Sequence, residues 1–290
     1  MVAVVGMILV FASVLGGFAM AGGPFAVLLA WSEWIVILGT AAGTVLVSTP
    51  APVLKSMLQK VKGVLTGNPF TEDLYVDALK LLYELFQIAR RDGLVAIESH
   101  IEGPEKSSVF KKYPGIMARH HPVDFLCDGL RLVLVGSVPP IDLEMLMENE
   151  IDAHHEAEEK PVSALSKVGD ALPGIGIVAA VLGIVVTMQS INGPIEEIGH
   201  HVASALVGTF LGIFVSYGFI APFVTNMEMM NAYESRFYHF LKSGIVAFAK
   251  GFSPIVSVEF ARKAIYSDVR PSFGEMETVC KAVTKKGKAA

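Results

Sequence analysis

Ala171–Ile195 reads ALPGIGIVAAVLGIVVTMQSINGPI and contains no charged side chain. About 20 apolar residues, rising 1.5 Å each, cross a hydrocarbon core of about 30 Å. Three more stretches are also free of charge: Met1–Ser32, Trp34–Leu54 and Val202–Met227. Lipid offers backbone groups no water to bond, so each stretch must be helical to cross. The expected spans lie near residues 2–21, 29–48, 172–191 and 202–222. The fold class expected is therefore all-α, a polytopic membrane protein with four transmembrane helices and a helical cytoplasmic domain. The first stretch lacks a basic leading segment, and a second span follows closely, so it reads as a retained helix rather than a signal peptide.

Composition agrees. The chain has 290 residues, 52% of them hydrophobic and 18% charged, against about 25% charged in soluble domains. That excludes a disordered chain, and a net charge of −5 leaves no basic footprint for nucleic acid. Charge position says more. Lys and Arg occur only in Lys55–Lys167 and Arg236–Lys288. The only acid before Lys55 is Glu33, near the outer end of the second span. By the positive-inside rule both basic blocks face the cytoplasm, and the connections at Gly22–Pro24 and Asn192–His201 face outward. The topology expected therefore has a large cytoplasmic loop and a cytoplasmic C-terminus. Cys127 and Cys280 then lie in a reducing compartment as free thiols.

This gives four segments: transmembrane helices 1 and 2 in residues 1–54, a cytoplasmic helical domain in 55–170, transmembrane helices 3 and 4 in 171–227, and a cytoplasmic helical tail in 228–290. In the second, Thr71 caps a helix whose apolar stripe is Leu74, Ala78, Leu81, Leu82, Leu85 and Ile88, and Gly93 ends it. Pro122 and Pro140 fit the starts of two further helices. The segment after Pro161 runs toward the third span, and the fourth span extends toward Lys250.

Gly39-Thr-Ala-Ala-Gly43 and Gly208-Thr-Phe-Leu-Gly212 are small-residue patterns that allow close helix packing. Pro173 stands at the start of the third span and Pro222 ends the fourth, both ordinary places for proline. His154 and His155 lie among acids, but nothing matches a metal-ligand motif, and a solvated acidic helix reads better. There is no nucleophile elbow, P-loop or dinucleotide fingerprint. No catalytic residue, metal ligand or cofactor is expected, and the chain does not read as an enzyme. A proton pathway needs ionisable groups at mid-membrane depth, and the predicted mid-span positions offer only hydroxyls such as Thr209. If the chain helps to conduct an ion, a partner helix must bring the carboxylate.

Several stretches resemble the MotA family of flagellar motor stator subunits, within the MotA/TolQ/ExbB proton channels. They are Gly16-Gly17-Phe18 to Gly22-Gly23, Arg90-x-x-Gly93 with Ile97-Glu98, and Ile101-Glu-Gly-Pro104. Further along come Asp170-Ala-Leu-Pro173-Gly-Ile-Gly-Ile-Val-Ala-Ala, Val207–Gly212 with Tyr217-Gly-Phe-Ile-x-Pro222, and Val258-Glu-Phe-Ala-Arg-Lys with Arg270-Pro-Ser-Phe. They run from the first residues to about residue 275 in the family's order.

The resemblance implies a homo-oligomeric ring, a pentamer, in the lipid bilayer around a MotB-type single-span subunit that supplies the proton-binding aspartate. It implies that Arg90 and Glu98 contact the rotor protein FliG, and that Pro173 and Pro222 couple ion flow to movement. Sodium-driven relatives carry threonine where this chain has Ala180, so H+ is favoured over Na+ as the transported ion, with Thr209 as a pore hydroxyl. The function implied is an ion-channel subunit of the flagellar motor stator that couples proton flow to torque. The alternative is a TolQ/ExbB-like energising channel for a non-flagellar envelope process, whose relatives have three spans. A membrane scaffold or transporter is a third class.

Overall fold

The computed structural model describes residues 2–286. Among them there is no strand. The chain forms two compact units. One comprises residues up to Asn68 together with Glu158–Met230, and the other Pro69–Ala157 and the chain from Asn231 onward.

The first unit holds α1 (Val2–Met20), the short α2 (Phe25–Leu28), α3 (Trp31–Ser48) and α4 (Ala51–Thr66). Four helices are long and apolar enough to cross a membrane. α1 is apolar all round, buries no residue, and exposes Val5, Ile8 and Leu9. In water that would be untenable; in lipid such a helix is at home. α3 buries Glu33, Ile37, Ala41 and Val45, four residues apart and hence on one face. Ile37 and Ala41 pack with Leu172, Ala179, Val207 and Leu211. A second cluster joins Val45, Met57 and Val64 to Val162, Leu165, Val224 and Met227.

The second unit is organised around α5 (Glu72–Asp92), which has Thr71 and Gly93 at its ends as the sequence predicts. The Thr71 hydroxyl makes no capping bond. Gly93 sits at φ +93, which favours a residue without Cβ. Leu74, Ala78, Leu81, Leu82 and Leu85 are buried and Ile88 partly so, as the stripe requires. Tyr75, Leu79 and Phe86 are fully buried too. After α6 (Glu98–Ile101) and α7 (Pro114–Met117) comes α8 (His120–Val135), in which Pro122 is the third residue rather than the first. Phe86 stacks on Phe248 at 4.4 Å, and Tyr75 meets Phe240 edge-on at 5.3 Å. Each fully buried side chain of this size contributes roughly 1.5–3 kcal/mol, so this core is ample for a stable unit.

The later helices are longer than the uncharged stretches alone suggest. α9 runs unbroken over Pro140–Gln189, about 75 Å at 1.5 Å per residue. Pro173 is therefore inside a helix and not at the start of one. α10 (Ile195–Val215) passes through a π-turn at Ser216–Ile220 into α11 (Ala221–Ala249), so Pro222 does not end a helix. α12 (Pro254–Lys263) and α13 (Phe273–Lys286) complete the second unit. Cys127 and Cys280 are buried there as free thiols, and burial pushes each up to about 12.

Candidate functional site

In the first unit α9 and α10 approach so closely that a side chain at the crossing has no room. A Cβ placed on Gly212 would stand 2.5 Å from the Leu172 carbonyl oxygen and 3.0 Å from Gly176 Cα. One on Gly176 would stand 2.8 Å from the Gly208 oxygen and 3.4 Å from Thr209 Cα. The Gly208–Gly212 pattern thus packs closely, as its spacing suggests. Gly39 and Gly43, with the same spacing on α3, have nothing within 4 Å. Among the described residues the expected close packing is therefore not met at these two glycines.

The crossing places Ala180 opposite Gly208, and Thr209 opposite Gly176. A Cβ on Gly208 would stand 3.2 Å from Ala180 N, and Thr209 is the next residue. Ala180 and Thr209 are both half-buried.

The two prolines are tied to each other by chemistry. A helical proline donates no N–H, so the carbonyl four residues before it loses its partner. For Pro173 that carbonyl belongs to Gly169. The Ser216 hydroxyl, 47 residues later, donates to the Gly169 oxygen at 2.6 Å. Ser216 is 2% exposed, so water offers little substitute. Gly169 lacks a Cβ where the π-turn comes closest: a methyl there would stand 2.8 Å from Ile220 Cγ2.

Ser216 also opens the π-turn, and its carbonyl accepts from Ala221 N–H five residues on. The following residue, Pro222, brings no N–H. Pro173 is half-buried and Pro222 exposed.

Glu33 was expected near the outer end of a span with no assigned role. It is 5% exposed, and its Oε2 finds no hydrogen-bond partner among the described residues. A Cβ on Gly208 would stand 2.6 Å from that oxygen. The one acid of residues 1–54 therefore lies beside Gly208, on the side that faces Ala180. Sequence reasoning missed this, although the signal was present: a charged residue in an otherwise charge-free stretch.

Arg90 and Glu98 belong to the second unit. Arg90 is exposed in the last turn of α5, and Glu98 is exposed at the start of α6. Buried Ile97 and Ile101 anchor the segment that carries Glu98. Leu94 and Val95, between the two charges in sequence, are exposed as well. Neighbouring charges are engaged. Arg91 bonds Asp92 at 2.7 Å and holds its carboxyl below the usual range, and Arg131 does the same to Glu102 at 2.7 Å. Arg90 and Glu98 form no ion pair among the described residues. Deeper in this unit Glu84 accepts from Tyr113 Oη at 2.7 Å and from Lys112 Nζ at 2.6 Å, and burial with that bond pushes the Tyr113 hydroxyl far up. His154 faces Glu234 at 3.3 Å.

A family model described as motility protein A N-terminal matches residues 4–93, and one described as the MotA/TolQ/ExbB proton channel family matches residues 118–237. Motility protein A of Escherichia coli is 37% identical over 98% of this chain and 96% of its own length. The Salmonella typhimurium protein of that name is 36% identical over the same shares. Chemotaxis protein LafT of Vibrio parahaemolyticus is 37% identical over 94% of this chain and 95% of its own. The fold is similar to that of C. jejuni MotAB, with a TM-score of 0.76 at 22% identity over 93% of this chain and 98% of that one. It is also similar to the flagellar MotAB stator complex of Bacillus subtilis, with a TM-score of 0.72 at 22% identity over 88% and 92%.

Proposed function

The chain belongs to the motility protein A family of MotA/TolQ/ExbB proton channels, and from that premise we propose that it is the ion-channel subunit of a flagellar motor stator. In this reading it works as a homo-oligomeric ring, a pentamer, in the bacterial inner membrane. The ring surrounds a MotB-type single-span subunit whose aspartate binds the transported proton. Residues 1–54 and 171–227 hold the membrane helices, and 55–170 and 228–290 face the cytoplasm. The chain acts on no substrate and needs no cofactor.

The observation that carries the reading is the bond from Ser216 to the Gly169 oxygen. It links the helix turn disturbed by Pro173 to the turn disturbed by Pro222. Protonating the partner's aspartate removes a buried charge and changes its fit against this proline-bearing pair of helices. The ring then turns by one position. Alanine at Ala180 presents no oxygen to a dehydrated sodium ion, so the proton is the favoured ion, with Thr209 as a hydroxyl along the path.

Arg90 and Glu98, exposed and unpaired, are the residues to meet FliG. A charge crossing the membrane gains about 2.3 kcal/mol per 100 mV. An exposed ion pair is worth about 0–1 kcal/mol and is screened by salt. A few such contacts are therefore made and broken within the energy of each ion, without locking the rotor.

The test is complementation. The chain is expressed with its cognate B subunit in a flagellated strain that lacks stators. Restored swimming supports the proposal. A stable membrane complex that leaves the cells immotile contradicts it.

A further inference from the structure

Glu33 sits in a pocket that the two later spans leave open for it. A methyl on Gly183 would stand 3.5 Å from its Oε1, and one on Gly208 would stand 2.6 Å from its Oε2. Two glycines on different helices thus supply the space that the carboxyl fills. Ala179 and Ala205 line the same space. None of these side chains donates a hydrogen bond. Polar groups nearby in sequence are already committed: Thr187 Oγ1 donates to the Gly183 oxygen at 2.8 Å, and Trp34 Nε1 to the Leu28 oxygen at 3.2 Å.

Among the described residues no charged partner faces the carboxyl. α1, α2 and the rest of α3 carry no titratable side chain, and neither does α9 beyond Asp170. α10 carries Glu196, Glu197, His200 and His201, all within its first two turns. An ionised carboxylate left unpaired in such a place costs several kcal/mol. It requires a counter-ion, and the side chains that line the pocket offer no ligand atoms to a metal cation. A proton needs none.

We propose that Glu33 is an exchangeable proton-binding site on this chain's own membrane helices. It takes a proton to become the neutral acid and gives it up again to a second carboxylate, so one proton moves and no other bond changes. Its place beside Gly208, which faces Ala180 and precedes Thr209 in the chain, puts it on the path that the proposed stator function requires. The second half of the inference, transfer onward, rests on that reading; proton binding at Glu33 does not.

The test uses the complex of this chain with its B-type partner, in lipid vesicles. Dicyclohexylcarbodiimide reacts with protonated carboxyls in apolar surroundings. In wild type, mass spectrometry should find the adduct on Glu33, with a yield that falls as pH rises. No adduct at any pH, or a yield independent of pH, overturns the inference.

Proton flux driven by a membrane potential is measured next. Glu33→Gln keeps the shape and removes the exchangeable proton. With the complex still assembled, flux should drop by at least about tenfold, and Glu33→Asp should retain part of it. Flux equal to wild type in Glu33→Gln overturns the transfer role. A wild-type complex that labels with the expected pH dependence yet passes no protons leaves Glu33 as a proton-binding site and contradicts the channel reading instead.

Discussion

Ser216→Ala deletes the donor that meets the Gly169 oxygen at 2.6 Å. Pro173 offers no N–H to that carbonyl, and the donor is 2% exposed, so the lost bond leaves an acceptor without a partner. In water-soluble proteins that costs about 1–3 kcal/mol. Interhelical bonds in membranes average nearer 0.6 kcal/mol and reach about 1.7, because the dissociated helices also find partners. Here the carbonyl is orphaned by a proline in any helical state, so about 1–1.5 kcal/mol is expected, toward the upper end of the membrane range.

The cause is separable by a double-mutant cycle. Pro173→Ala restores an N–H four residues after Gly169, so the carbonyl regains an in-helix donor. Ser216→Ala should then cost little in that background, with a coupling of about 1 kcal/mol between the two changes. The assay is reversible unfolding of the purified chain in mixed micelles by added dodecyl sulfate, run on all four proteins. Additive effects would refute the claim that Ser216 serves the carbonyl orphaned by Pro173. Torque from tethered cells gives the functional counterpart: Pro173→Ala should assemble and turn poorly.

Gly212→Ala forces a methyl to within 2.5 Å of the Leu172 oxygen and should destabilise the α9–α10 pair by about 1–3 kcal/mol, whereas Gly39→Ala meets nothing within 4 Å and should leave the isolated chain's unfolding midpoint unchanged or slightly raised. His100 should make the second unit acid-sensitive. Ser107 Oγ accepts from Val109 N–H and Phe110 N–H, so its hydroxyl proton points to His100 Nδ1, which must be an acceptor in a neutral ring. Burial holds this histidine below its usual range in the folded state, so the unfolded chain binds the proton more readily. Its stabilising share is complete above about pH 6.5 and is lost as pH falls through the lower folded value. Thermal midpoints should drop between about pH 7 and pH 5, and drop less in His100→Asn. Arg90→Ala should weaken torque and Arg90→Glu weaken it more, measured on tethered cells; equal torque in wild type and Arg90→Glu would contradict a rotor contact at this residue.

The helices were legible in the sequence because lipid allows little else. A charge-free stretch of spanning length has to be helical, and the stripe from Leu74 to Ile88 fixes α5 by its period alone. What periodicity does not carry is the identity of the facing element. Gly39–Gly43 and Gly208–Gly212 are the same pattern, yet among the described residues only the second meets a close neighbour, where Leu172 and Gly176 stand opposite. The same gap hid the pocket for Glu33, which needs Gly183 and Gly208 from two other helices. It also hid the bond between Ser216 and Gly169. Proline signals were read as boundaries, since that is where prolines commonly sit. Here Pro173 lies within a continuous helix, where Ser216 answers the carbonyl it strips. Pro222 is carried through by a π-turn.

The most direct measurement of proton-driven torque is the swimming speed of a stator-deficient strain carrying this chain with its cognate B subunit. It is recorded with sodium, without sodium, and with a protonophore. Unchanged speed without sodium and arrest by the protonophore is the result expected. Speed that follows the sodium gradient and survives the protonophore would contradict it, and would overturn the inference drawn from Ala180.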